Sequence, residues 1–173
     1  EIDGERHYVQ KIAAFHTIDR TWQGDTAITL SLPMTPQINR RPNNAVSISR
    51  GPLLFALRIG EEWRQINMDK PFRELPHADW EVYPTTPWNY ALQTDERTLA
   101  NDMRFEEHPI GNPVFSPEHP PVTARIAGRR VPGWTEEAGS AGQSPTSPVR
   151  TDEPLQDLVL IPYGCTNLRI TEF

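Results

Sequence analysis

The stretch "LLFALRI", residues 53–59, decides the fold. Leu53, Phe55, Leu57 and Ile59 alternate onto one side, while Leu54, Ala56 and Arg58 fall on the other. Alternation with period two marks a β-strand, and apolar residues on both sides mark a central, mostly covered one. The same alternation recurs outward from this stretch. In "TAITLSL" (26–32) Ile28, Leu30 and Leu32 oppose Thr29 and Ser31, and in "AVSIS" (45–49) Val46 and Ile48 share a face. Further strands are expected at 80–85, 88–92, 103–107, 122–126, 157–163 and 167–173, with an opening one around 9–18.

Turn formers separate these segments: "QGD" (23–25), "RRPNN" (40–44), "RGP" (50–52) and "PYGCTN" (162–167). Proline makes up 18 of 173 residues, which disfavours helices and suits strand edges and turns. No window of ten residues carries a helical stripe; "TDERTLANDM" (94–103) has room for a turn or two, capped by Thr94. About nine or ten short strands without crossover helices predict an all-β fold, an antiparallel, jelly-roll-like β-sandwich forming a single domain over 1–173. Residues 133–154 depart from the pattern. They are rich in Gly, Ser, Thr, Pro and acid with one large apolar residue, Trp134, and read as a flexible insertion.

The net charge of −6 and scattered cations argue against nucleic-acid binding, which needs a basic stripe to displace counterions from phosphate. No apolar run approaches the roughly 20 residues of a membrane-spanning helix, so no membrane partner is expected. The chain opens on Glu1 without a signal peptide, as an excised piece or matured product would. One cysteine, Cys165, excludes an internal disulfide and any multi-cysteine zinc site, and reads as a small buried hydrophobe.

Tests for chemistry return little. Glycoside hydrolysis needs two carboxyls about 5–10 Å apart across a cleft. Glu61-Glu62, Glu106-Glu107 and Glu136-Glu137 are adjacent, and neighbours on a strand point to opposite faces. Asp79 and Glu81 can share a face. His77 and Asp79 make a conceivable ligand pair with nothing nearby to complete a metal shell. There is no G-x-S-x-G elbow, no phosphate loop and no His partner evident for Cys165. No catalytic or metal-binding residue is therefore assigned, and no cofactor is expected in this chain.

The exception is "DWEVYPTTPWNYAL" (79–92), with two of the five Trp and two of the four Tyr. Trp80 and Val82 share one face and Glu81 and Tyr83 the other; Trp88, Tyr90 and Leu92 then line up together. Such a row suits a core, and it equally suits a platform on which sugar rings stack. Trp80, Tyr83, Trp88 and Tyr90 are the carbohydrate-binding candidates.

Three segments carry a resemblance. "IDRTWQGDTAITLSLPM" (18–34), "NNAVSISRGPLLFAL" (43–57) and "LVLIPYGCTNLRITEF" (158–173), in that order, resemble the C-terminal β-sandwich region of the β-L-arabinofuranosidase-like glycoside hydrolases, family 127. The opening "IDGE" is similar to a hairpin of a sandwich already begun, which would leave the N-terminal edge incomplete and open to dimerisation. The resemblance implies a non-catalytic module supporting a missing (α/α)6 catalytic barrel of the same polypeptide. That barrel would hold the family's zinc site and catalytic glutamate, and Cys165 does not match a zinc ligand. It further implies a secreted or periplasmic bacterial setting, plant polysaccharide as the material degraded, and an oligosaccharide as possible partner. Two alternatives stand beside it: an autonomous carbohydrate-binding module using the Trp80–Tyr90 aromatics, and a fragment that itself hydrolyses glycans through Asp79 and Glu81.

Overall fold

The computed structural model describes residues 1–7, 17–32 and 34–173. The chain forms two compact units, Glu1–Pro33 and Met34–Phe173. In the first unit Asp3 and Gly4 both have positive φ (47° and 86°), and Ile2 and Glu5 exchange backbone hydrogen bonds across them. That is a two-residue hairpin turn of the primed type, which Asp-Gly favours. Isolated bridges join Ile2 to Glu5 and to Ile28. The expected strand at 26–32 is not formed: Ile28, Leu30 and Leu32 are 57%, 72% and 68% exposed. Their alternation has no sheet to cover it within this unit's described residues. The strand expected around 9–18 falls largely outside the described residues.

The second unit is all-β, an antiparallel sandwich with a strongly curled main sheet. Its strands are β1 (Pro36–Arg40), β2 (Val46–Arg50), β3 (Leu53–Leu57), β4 (Glu61–Ile66), β5 (Asp79–Pro84), β6 (Tyr90–Leu92), β7 (Arg104–Glu107), β8 (Val122–Arg130), β9 (Glu136–Glu137), β10 (Ser140–Ala141) and β11 (Leu155–Pro162). This unit's eleven strands stand close to the nine or ten expected. The one α-helix, α1 (Leu99–Asp102), is a single turn set in the 94–103 window, following Thr98 rather than Thr94.

The main sheet runs β1-β2-β3-β11-β8-β6, with β7 also paired to β8. β3 is therefore interior, as its two-sided apolar pattern requires. Phe55, Leu57 and Ile59 are buried on one side, while on the other Ala56 is buried and Arg58 exposed. Facing residues from neighbouring strands complete the core, among them Ile48, Ile126, Leu158 and Leu160. The β2–β3 hairpin turns on Gly51 and Pro52, with Arg50 opposite Leu53. Gly51 has φ +56°, the conformation that the first position of a primed turn demands, so glycine is required there.

Two strands carry too few apolar residues to read from sequence. β1 has only Ile38, and β4, "EEWRQI", pairs solely with β5 in a two-stranded sheet. The C-terminal segment 167–173 is not a strand. It docks by single backbone bonds instead: Val46 and Phe173 exchange N–H and carbonyl, and Leu57 N–H donates to Ile170. Within 133–154 the chain forms the β9–β10 hairpin, and Trp134 is buried.

Candidate functional site

The four candidate aromatics divide between two settings. On β5, Trp80 and Val82 share a face with Trp63 and Gln65 of β4, as the register Trp63↔Val82 and Gln65↔Trp80 dictates. Trp63 and Trp80 are diagonal neighbours, packed edge-to-face at 6.1 Å and 73°, and both stay about half exposed. The opposite face carries a polar lattice. Arg64 makes two bonds to the Glu62 carboxylate at 3.1 and 2.9 Å and lies over the Tyr83 ring at 4.4 Å. Tyr83 Oη donates to Glu81 at 2.6 Å. This bond to Glu81 raises the pKa of the Tyr83 hydroxyl.

Tyr90 opens β6 of the main sheet, and Trp88 lies two residues before it. Tyr90 is only 6% exposed and sits in the core, its hydroxyl donating to Gln156 Oε1 at 3.0 Å. Trp88 is half-buried against the same core and meets Trp134 edge-on at 5.2 Å. Between them Asn89 is buried, with Nδ2 donating to the carbonyls of Val131 (3.0 Å) and Trp134 (2.8 Å). The indole of Trp134 donates to the Gly142 carbonyl at 2.8 Å, which ties the segment after β8 back onto this corner.

One cavity, about 340 Å³, brings two candidates together. Tyr83 and Trp88 line it, with Glu136 and Ser140 of the β9–β10 hairpin and Asn167 and Arg169 of the C-terminal segment. Aromatic rings beside planar amide, guanidinium and carboxylate groups are the chemistry with which proteins hold saccharides: flat apolar surface for C–H faces and paired donors and acceptors for hydroxyls. Trp80 lies on the other side of its hairpin, and Tyr90 is covered. The residues sequence reasoning missed, Asn167, Arg169 and Glu136, are exposed polar side chains on separate segments, with no pattern to single them out.

Two of the carboxylates weighed for catalysis, Asp79 and Glu61, are engaged in structure. Asp79 accepts from Asn67 Nδ2 at 2.9 Å and Arg73 Nε at 2.7 Å, and these bonds hold its pKa below the ordinary value. Glu61 is a clamp. Burial pushes its carboxyl up, but Asn167 (side chain and backbone), the Leu168 N–H and the Trp63 indole all donate to it, and the net shift is downward. Cys165 is buried beside the last turn, and burial raises its thiol pKa, which disfavours the thiolate a metal would need. Among the described residues no group of three or more His, Cys, Asp or Glu is placed to hold a metal.

Comparison with known proteins gives no match, whether to a protein-family model, a curated protein or a solved structure.

Proposed function

We propose that this chain is a non-catalytic β-sandwich module of a glycoside hydrolase resembling the β-L-arabinofuranosidases, and that it packs against an (α/α)6 catalytic barrel of the same polypeptide. The observation that carries this reading is the β4–β5 hairpin. It holds Trp63 and Trp80 half exposed, and the loop joining its strands leaves Met68, Phe72 and Leu75 at 73%, 80% and 73% exposure. Large apolar side chains concentrated on one hairpin suit a face that meets a larger body. Asp79, held as a carboxylate by Asn67 and Arg73, is unsuited to donating a proton to a leaving group. The test is binding of the chain to the separately produced barrel region, before and after the paired Trp63→Ala and Trp80→Ala changes. A loss of about tenfold or more in affinity is expected; unchanged binding sinks the reading.

The cavity between Tyr83 and Trp88 favours a second reading, an oligosaccharide-binding module. Calorimetric titration with neutral and substituted oligosaccharides tests it. Neither heat nor a shift in melting would remove it.

A further inference from the structure

We infer that the saccharide cavity continues into a longer groove around the end of β3, and that this groove takes an oligosaccharide bearing sparse anionic groups, with its neutral part against Tyr83 and Trp88 and an anion at Arg58 and Arg125. The inference rests on the saccharide reading of the Tyr83–Trp88 cavity.

Three cavities share walls in series. The 340 Å³ cavity shares Ile59 and Asn167 with a second, of about 550 Å³, which adds Glu61 and Trp63. The second shares Arg58 and Glu118 with a third, of about 610 Å³. Arg58 and Ile59 are consecutive, one exposed and one buried, so they look to opposite sides of the chain as it leaves β3. The series therefore bends around Gly60, from the Trp88 corner to the outer face of the main sheet.

The far end differs in chemistry. The 610 Å³ cavity gathers Arg58, Arg125, His108 and His119 beside the Thr123 hydroxyl, in a chain whose net charge is −6. Arg58 makes no ion pair among the described residues; its Nη2 donates to the Pro117 carbonyl at 3.3 Å. Arg125 bonds Asp157 at 2.8 Å, but the two side chains are 55% and 61% exposed, and an exposed pair exchanges readily for a ligand anion. A guanidinium presents a planar fork that fits a carboxylate or a sulfate ester. Glu106 and Glu118 line the same cavity, and Glu118 already accepts the Ser116 hydroxyl. Mixed sign of this kind repels a dense polyanion and admits a chain with an occasional negative group.

Calorimetry on the whole chain separates the outcomes, using xylo-, arabino- and galacto-oligosaccharides, each neutral, with one uronate or with one sulfate ester. An anionic form is expected to bind about tenfold tighter than its neutral parent, a preference that shrinks with salt. Arg58→Gln should erase the preference, while Tyr83→Ala should weaken all forms together. Tighter uronate binding identifies a carboxylate ligand, and tighter sulfate binding a sulfated one. Equal binding of neutral and anionic forms, or a preference that survives Arg58→Gln, overturns the inference and leaves the saccharide reading standing. Binding of none overturns both.

Discussion

Residues 79–92 hold two halves of similar composition and opposite fate. Trp80 and Tyr83 ride a two-stranded hairpin and remain 42% and 39% exposed, whereas Tyr90 is 6% exposed and Trp88 packs against the core. The difference lies in partners. β5 is paired by β4 alone, while β6 pairs with the long β8, and Trp134 closes over its start. Aromatic content does not decide burial; the number of layers a strand can lean on does.

The sharpest way to break this comparison is to truncate one ring from each half. Tyr90→Ala should cost about 3–5 kcal/mol of unfolding free energy, the usual range for removing a large aromatic from a packed core. Tyr83→Ala, losing an exposed stacking contact with Arg64, should cost far less. Urea denaturation of both variants reads the difference, and equal costs would erase the distinction between the halves.

A smaller effect tests what holds the buried half in place. Asn89→Ala removes the donors to Val131 and Trp134; the Val131 carbonyl still accepts from the Trp134 N–H, and the Trp134 carbonyl is left unpaired. The expected loss is about 1–3 kcal/mol. If denaturation shows no loss, Trp134 is seated by its ring contacts and by its own donors to Val131 and Gly142.

On the exposed half, the contact between Trp63 and Trp80 should appear as a coupling of about 0.5–1.5 kcal/mol in a double-mutant cycle with alanine. Additive costs would mean that the two rings share a face without stabilising each other.

These contrasts explain what was legible in the sequence. β3, β8 and β11 were readable because interior strands need apolar residues on a regular alternation, and Phe55, Leu57, Ile126, Leu158 and Leu160 supply it. β1 and β4 were not, because an edge strand and a two-stranded hairpin can be polar on most positions. The stretch 26–32 shows the converse: Ile28, Leu30 and Leu32 alternate without forming a strand, since alternation states what a strand would bury and not whether a sheet is there. Trp134 could be named as the one large apolar residue of its segment, but its burial depends on Asn89 and Trp88, more than forty positions earlier. Of the site, Tyr83 and Trp88 were legible as aromatics. Glu136, Asn167 and Arg169 were not, because long-range pairing of loops brings them to the cavity.

The smallest effect concerns the base of the exposed hairpin. Asp79 closes the β4–β5 loop by accepting from Asn67 and Arg73, and its pKa is lowered from the ordinary 3.8, first by the Asn67 bond and then by the Arg73 bond. A carboxyl lowered on folding contributes stability above its unfolded value and loses it as pH falls through the folded one. The hairpin should therefore keep this support at neutral pH and lose it only in acid, below 3.8. Titration of the Asp79 carboxyl by NMR measures the midpoint directly. Asn67→Ala and Arg73→Gln should each move it upward, with both variants leaving the main-sheet amides unshifted. A midpoint that neither change moves would mean that these two donors do not hold the carboxylate. Amide shifts that spread into β3 and β11 would show that the hairpin and the main sheet respond as one layer, against the independence that separates Trp80 from Tyr90.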